Sequence, residues 1–208
     1  MFDLDDTVYP EWDYLISGIT HLIKLLDVEA IDPFTLARNK SSWMEDLVKI
    51  CGNKVDLKFV QEVYRCHSPN INLRHNMDLL ISDLTPIGDL YFITDGDHIR
   101  QIKKASRLGL LGYPILTGKS FREESKLHGN RFKFLNEQDY TSFVYVADNP
   151  RKDFFWPNKL GWVSVQLRGL DSPIHSYEDE TLPDNFMPQQ ICNTVEELRE
   201  LLLRIYVA

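Results

Sequence analysis

Two aspartates one residue apart stand near the start of the chain, in Met1-Phe2-Asp3-Leu4-Asp5-Asp6-Thr7. On an extended strand, side chains two positions apart share a direction, so Asp3 and Asp5 converge while Leu4 turns away. Such a pair can divide labour: one carboxylate attacks an electrophile and the other moves a proton. The plainer reading is a turn, for which Asp5, Asp6 and Thr7 are suitable residues. A calcium-binding EF-hand loop fits less well, because the glycine it needs at its sixth position is Val8 here.

Two later segments end in the same kind of chemistry. In Tyr91-Phe92-Ile93-Thr94-Asp95-Gly96 a hydroxyl follows an apolar run, and Gly96 frees the backbone N–H groups to approach an anion. Thr94 is equally readable as the last strand residue and Asp95-Gly96 as a turn. In Val144-Tyr145-Val146-Ala147-Asp148-Asn149-Pro150-Arg151-Lys152-Asp153, Asp148 lies at a strand tip and Asp153 one turn further on. Asp148 would also serve as a helix N-cap. Acids at 3, 5 and 148 with a hydroxyl at 94 form a more specific set than any one of them. Clustered carboxylates repel unless a cation sits among them. Hard oxygen ligands with open positions suit Mg²⁺, which keeps waters and binds substrate phosphate.

The elements that must position these groups follow from periodicity. Trp12, Leu15, Ile16, Ile19, Leu22, Ile23 and Leu26 recur near 3.6 and predict an amphipathic helix. Asp32-Pro33 opens a second helix expected to run through Leu36, Trp43, Leu47 and Ile50, closed by Cys51-Gly52-Asn53. Asp56 caps a third through Tyr64, and a fourth spans 76–84. From Asp89 the rhythm changes to short apolar runs alternating with helices: 90–94 then 99–108, 143–147 then 151–160, and 162–166 before a closing helix at 194–206. Short apolar runs read as buried parallel strands, and the alternation predicts an α/β Rossmann-like parallel sheet with helices on both faces. Ligands in such sheets sit beyond the carboxyl ends of the strands. The stretch 169–190, rich in Pro, Asp and Glu, reads as a long surface connection.

Composition narrows the partners. The 208 residues carry 23 Lys+Arg against 31 Asp+Glu, a formal charge of −8, which argues against nucleic acid and anionic membrane surfaces. With 43% hydrophobic residues the chain can bury a sizeable core. No apolar run approaches the roughly 18 residues of a membrane span. Cys51, Cys66 and Cys192 are odd in number and unpatterned, neither a disulfide framework nor a zinc site. A soluble, cytoplasmic globular protein is expected.

These motifs resemble those of the haloacid dehalogenase (HAD) superfamily, in its phosphatase branch with an inserted helical C1-type cap. Asp3-Leu4-Asp5-Asp6-Thr7 matches the family's Asp-x-Asp-x-Thr, Thr94 its second motif, and Asp148 with Asp153 its acidic fourth. The string 148–154, followed by Pro157-Asn158-Lys159-Leu160-Gly161-Trp162, looks like members that include pyrimidine-nucleotidase-like and sugar-phosphate phosphatases. The resemblance spans nearly the whole chain and implies an α/β core from 1–10 and 85–208 with an α-helical cap at 11–84. It implies a phosphomonoesterase in which Asp3 is the nucleophile and Asp5 the acid and base. Mg²⁺ would be held by Asp3, the Asp5 carbonyl and Asp148, with Asp153 supporting. Phosphate would be bound by Thr94, Asp95, Gly96 and a third-motif lysine. Lys126 is favoured for that lysine, since Phe132 follows six residues later, although the family's prolines are missing; Lys119 is the alternative, and either could be a solvated surface lysine.

Further departures are Ala147, where the family usually has glycine, and the two residues before Asp3, fewer than the family's first strand normally has. A start further upstream, or reduced stability, is the expectation from the latter. The implied substrate is a small phosphorylated metabolite, a sugar phosphate or nucleotide. A phosphomutase and a catalytically impaired binding module of the same fold are the alternatives. Tyr64, His67, Asn72, Arg74 and His75, where the cap returns to the core, form either a substrate-reading cluster or a structural hinge.

Overall fold

Residues 1–3 lie at the centre of a parallel sheet. The Phe2 N–H donates to the Tyr91 carbonyl at 2.9 Å and the Phe2 carbonyl accepts from Ile93 at 2.8 Å. On the other side Asp3 donates to Val146 and Val146 to Met1, both at 2.9 Å. The segment therefore joins two sets of strands in a computed structural model that describes residues 1–28, 30–52, 54–170, 174 and 182–207. β1 (Phe92–Thr94) pairs with β2 (Ile115–Thr117), and β3 (Val144–Ala147) with β4 (Val163–Leu167), which pairs with β5 (Gln190–Cys192); every pairing is parallel. The order is β2, β1, residues 1–3, β3, β4, β5.

Side chains alternate across this sheet into two separate apolar clusters. Phe2, Phe92, Val144, Val146 and Val165 enter one, and Ile93, Tyr145 and Ala147 the other. A strand buried on both faces must read as an unbroken apolar run, as 143–147 does. The first face is covered by α1 (Glu11–Leu25), α5 (Met77–Leu84), α6 (His98–Arg107) and α10 (Val195–Val207). The second is covered by α8 (Asn130–Asn136) and α9 (Phe155–Lys159), where Phe132 meets Tyr145 and Trp162 edge-on. Helices thus lie on both faces, as the alternation predicts.

Between residues 11 and 84 the described residues form helices and no strand: α1, α2 (Pro33–Ala37), α3 (Trp43–Ile50), α4 (Leu57–Cys66) and α5. Asp32 and Asp56 cap α2 and α4 as expected, accepting from Thr35 N–H at 2.8 Å and Phe59 N–H at 2.7 Å. The single helix expected from Pro33 to Ile50 is broken at residues 38–42. There the Asn39 carbonyl accepts from Ser42 and Trp43, while the Asn39 and Ser42 side chains bond Asp46 at 2.7 and 3.1 Å. Such side chains offer the backbone an alternative to helix and start a new one. α5 docks on α10 through Asn76–Glu196 and Asp83–Arg199 contacts.

Other differences are local. The helix expected over 151–160 shortens to α9, because a turn closed by Asn149 and Asp153 takes its first residues. β2, β5, α7 (Gly118–Phe121) and α8 have no counterpart in the sequence reading; each is short, and β5 is mostly exposed, so its pattern is weak. Residues 171–173 and 175–181 of the proposed connection at 169–190, along with Asn53, lie outside the described residues, and the described remainder includes a 3₁₀ turn (Asp184–Phe186) and leads into β5. Among the described residues no helix is long and apolar enough to cross a membrane.

Phe2 is 1% exposed and packs against Phe92 at 6.1 Å between ring centroids. Phe2→Ala is expected to cost about 3–5 kcal/mol of unfolding free energy with the urea m-value unchanged. A loss below about 1 kcal/mol would mean that residues 1–3 do not form the sheet's centre.

Candidate active site

The three strand ends meet. Asp3 follows the central segment, Thr94 ends β1, and Asp148 follows β3. Carboxylate oxygens of Asp3, Asp148 and Asp153 lie within 4.8 Å of one another. The ammonium of Lys126, fully buried, sits 2.8 Å from Asp3 Oδ2 and 2.7 Å from Asp153 Oδ1. Lys126 reaches them from a single 3₁₀ turn (Lys126–His128) that leaves through Gly129 at φ 80°. A Cβ on Gly129 would overlap the Trp156 ring, and an L side chain strains at that φ, so glycine is required there. Lys119 is exposed on α7 and makes no such contact among the described residues.

Each carboxylate has its own fixing bonds. Asp3 Oδ1 accepts from the Leu4 N–H at 2.8 Å. Asp153 Oδ2 accepts from the Asn149 N–H at 3.1 Å, closing the turn after β3. The Thr7 hydroxyl donates to Asp148 at 3.4 Å. Asp6 adopts φ 53°, a left-handed conformation that Asp tolerates, and its carboxylate accepts from the Glu11 and Ile174 N–H groups at 2.8 and 2.7 Å. So the turn reading holds for Asp6, while Asp3 is held by Leu4 and Lys126 instead.

The charge count is the main feature. Three carboxyl groups face one buried ammonium, so full ionisation would leave negative charge that Lys152, nearby, offsets only in part. Burial pushes the Asp3 carboxyl up to about 6, opposed by Lys126 and reinforced by Asp153. Burial, with Asp153, Asp3 and Asp6 adding, pushes Asp148 well above the carboxylate range. Burial pulls Lys126 down, but Asp153 and Asp3 outweigh it and hold the ammonium protonated. Clustered buried carboxyl groups, all hard oxygen donors, fit a divalent cation such as Mg²⁺.

Asp5 does not turn its carboxylate into this cluster. It accepts from Lys104 at 2.5 Å and Gln101 at 3.1 Å, both on α6, and from the Tyr9 hydroxyl. Burial pushes its carboxyl up, but Lys104, Tyr9 and Gln101 together hold it below the ordinary value. Thr94 is buried at the tip of β1, its hydroxyl 3.3 Å from the Asp95 carbonyl. The Asp95 carboxylate is committed elsewhere: it accepts from the Lys126 N–H at 3.0 Å and from Arg131 at 2.6 Å. Any phosphate contact at Asp95 and Gly96 therefore falls to their backbone.

Several residues here were not singled out by sequence. Arg131, fully buried on α8, bonds Asp95, the buried Glu123 and the Thr94 carbonyl at 2.6 Å. Lys152 stands 3.9 Å from Asp95 at the rim. Gln101 and Lys104 are buried on α6 on the same face as Ala105 and Leu108, while Ile99 is exposed, so two polar side chains share the buried face. The sequence carries no signal for this. The cluster suggested at the cap return does not join the acids. Tyr64 and His67 pack with Tyr14 and Trp43, Arg74 donates to the Arg168 carbonyl at 2.5 Å, and Asn72 and His75 are exposed.

No protein-family model and no curated protein matches the sequence. Solved structures do match over the full chain. The Bacillus subtilis protein YfnB, described as a candidate HAD-hydrolase and solved with magnesium bound, aligns with a TM-score of 0.66 over 97% of this chain and 96% of its own, at 18% identity. The fold is haloacid dehalogenase-like. A 2-haloacid dehalogenase from Pseudomonas syringae (0.62, 18% identity, 98% and 97% covered) shares this HAD-like fold. So does a protein of Haemophilus somnus predicted to be a phosphoglycolate phosphatase (0.63, 15%, 97% and 96%).

A pH dependence follows for the metal-free protein. Asp3 and Asp148 bind protons more tightly folded than unfolded, so their contribution is most favourable below about pH 4; that of Asp3 is lost as pH rises through about 6, and Asp148 acts in the same direction. In EDTA, Tm is expected to fall by about 5 °C between pH 5 and 7.5, with Mg²⁺ restoring it and Asp3→Asn flattening the profile. A flat profile in EDTA that ignores Mg²⁺ would remove the repulsion from the account.

Proposed function

We propose that the protein is a Mg²⁺-dependent phosphomonoester hydrolase acting on a small phosphorylated metabolite through an aspartyl-phosphate on Asp3. The observation that carries this reading is the Asp3 carboxylate held by a buried lysine beside two further acids. Bound there, Mg²⁺ would supply positive charge that offsets repulsion between Asp3 and a phosphate dianion. Asp3, Asp148 and Asp153 would hold it, with the Asp5 carbonyl.

The chain's own groups do the rest. Asp3 attacks phosphorus in line, and the ester P–O bond breaks as the Asp3 Oδ–P bond forms. Asp5 enters this step protonated, gives that proton to the leaving alkoxide and is left as the carboxylate. Asp5 then accepts a proton from the water that attacks the aspartyl-phosphate, releasing inorganic phosphate and restoring the Asp3 carboxylate. Lys126 orients Asp3 and neutralises charge on the equatorial oxygens, with the Thr94 hydroxyl and the N–H groups of the Asp95-Gly96 loop as further donors. The helical block 11–84 serves as the cap that selects substrate, a sugar phosphate or nucleotide. The HAD-like fold also hosts dehalogenases, so the fold alone does not choose between chemistries. Asp5 supports ester hydrolysis, because a departing alkoxide needs a proton and a halide does not.

Phosphate release from p-nitrophenyl phosphate is expected with Mg²⁺, abolished by EDTA, and lowered at least about a thousandfold by Asp3→Asn. A screen of sugar phosphates and nucleoside monophosphates should show about a hundredfold preference for one class, roughly 2.7 kcal/mol of transition-state discrimination. Equal inertness of the wild type and Asp3→Asn toward every ester would overturn the reading in favour of a binding module.

A further inference from the structure

We infer that Lys104 and Gln101 are positioning residues that clamp the Asp5 carboxylate, an inference resting on the phosphatase reading above. Both project from α6, three residues apart and hence on one helix face. Lys104 Nζ lies 2.5 Å from Asp5 Oδ1, and its side chain is 3% exposed. It sits over the Tyr14 ring at 4.2 Å from the centroid and near the Tyr9 ring at 5.7 Å. Gln101 Nε2 donates to Asp5 Oδ2 at 3.1 Å and to the Asp95 carbonyl at 2.7 Å. One amide therefore ties the loop after the central segment to the loop after β1. Tyr9 closes the third side through its hydroxyl.

Burying a lysine and a glutamine where an amphipathic helix would present aliphatic residues is costly unless their bonds serve a purpose. The expense is visible at Gln101: committing its amide nitrogen to two acceptors leaves Oε1 buried without a hydrogen-bond partner among the described residues. A solvated aspartate needs none of this. A proton-transfer group does, because it must be held in one place relative to the leaving oxygen while Lys126 holds Asp3 in another. The two lysines divide the two aspartates between them: Lys126 takes Asp3 and Lys104 takes Asp5. Only Lys104 comes from a helix on the cap side of the sheet, where α4 packs on α6. The clamp is thus placed to couple Asp5 to the elements that would select substrate.

A double-mutant cycle with p-nitrophenyl phosphate and Mg²⁺ tests this. Lys104→Met should lower kcat at least about tenfold with KM within about twofold, Lys104→Arg should recover part of the loss, and Gln101→Leu should fall between them. On an Asp5→Asn background Lys104→Met should lower the residual rate no further, since Lys104 acts through Asp5. Wild-type kcat in Lys104→Met, or losses that multiply in the double variant, would overturn the clamp. In the metal-free wild type, the Gln101 side-chain amide resonances should move on Asp5→Asn and on Lys104→Arg; unmoved resonances would also overturn it. If the wild type hydrolyses nothing while these resonances move, the phosphatase reading fails and the clamp survives.

Discussion

A single ammonium buried between two carboxylates organises this molecule. Lys126 has no exposed surface, and neither partner, Asp3 nor Asp153, has more than a trace. Taking three charges out of water costs several kcal/mol per ion unless the geometry is good and the remaining lone pairs are satisfied. The surrounding structure meets that demand in detail. Asp3 gains the Leu4 N–H, Asp153 the Asn149 N–H, and the 3₁₀ turn carrying Lys126 is pinned by its own N–H to Asp95. The central segment, the end of β3 and the turn before α8 must all be in register for the lysine to be tolerated.

A second buried layer supports the first. Arg131 links Glu123, Asp95 and the Thr94 carbonyl, and so fixes the loop that ends β1 from beneath. An arginine suits this role because its planar fork makes several directed bonds at once and it stays protonated. Asp95, which looks like a phosphate-side residue in the sequence, is instead the joint between the two layers. Its carboxylate serves Arg131 and the lysine turn, leaving only its backbone to face the site.

The acids are thereby sorted by environment. Asp3, Asp148 and Asp153 share a small buried volume in which burial, with neighbouring charge, pushes Asp3 and Asp148 toward protonation, while Lys104, Tyr9 and Gln101 hold Asp5, two residues from Asp3, below the ordinary value. Without a cation the nucleophile-side acid is thus the one disfavoured as an anion, which is why the cluster needs a divalent ion to present Asp3 ionised. Around them the HAD-like sheet supplies only the convergence of strand ends; the chemistry is set by which side chains stand there.

The sequence alone determined a good deal. Periodicity gave the helical block and the alternating half, because long amphipathic helices and doubly buried strands leave patterns of 3.6 and unbroken apolar runs. It also marked Asp3, Thr94 and Asp148 as strand-end residues, since each follows or closes an apolar run, with Asp153 one turn beyond the last. Short elements such as β2 and β5 left no such trace, and the break at 38–42 depended on Asn39 and Ser42 reaching Asp46. Tertiary structure decided which lysine is buried, which carboxylate faces the cluster and which turns to α6. Those choices rest on contacts between residues 27 to 145 positions apart, such as Lys126 with Asp153 and Asp148 with Asp3. Local spacing carries no information about pairings of that range, and only the folded sheet brings the partners together.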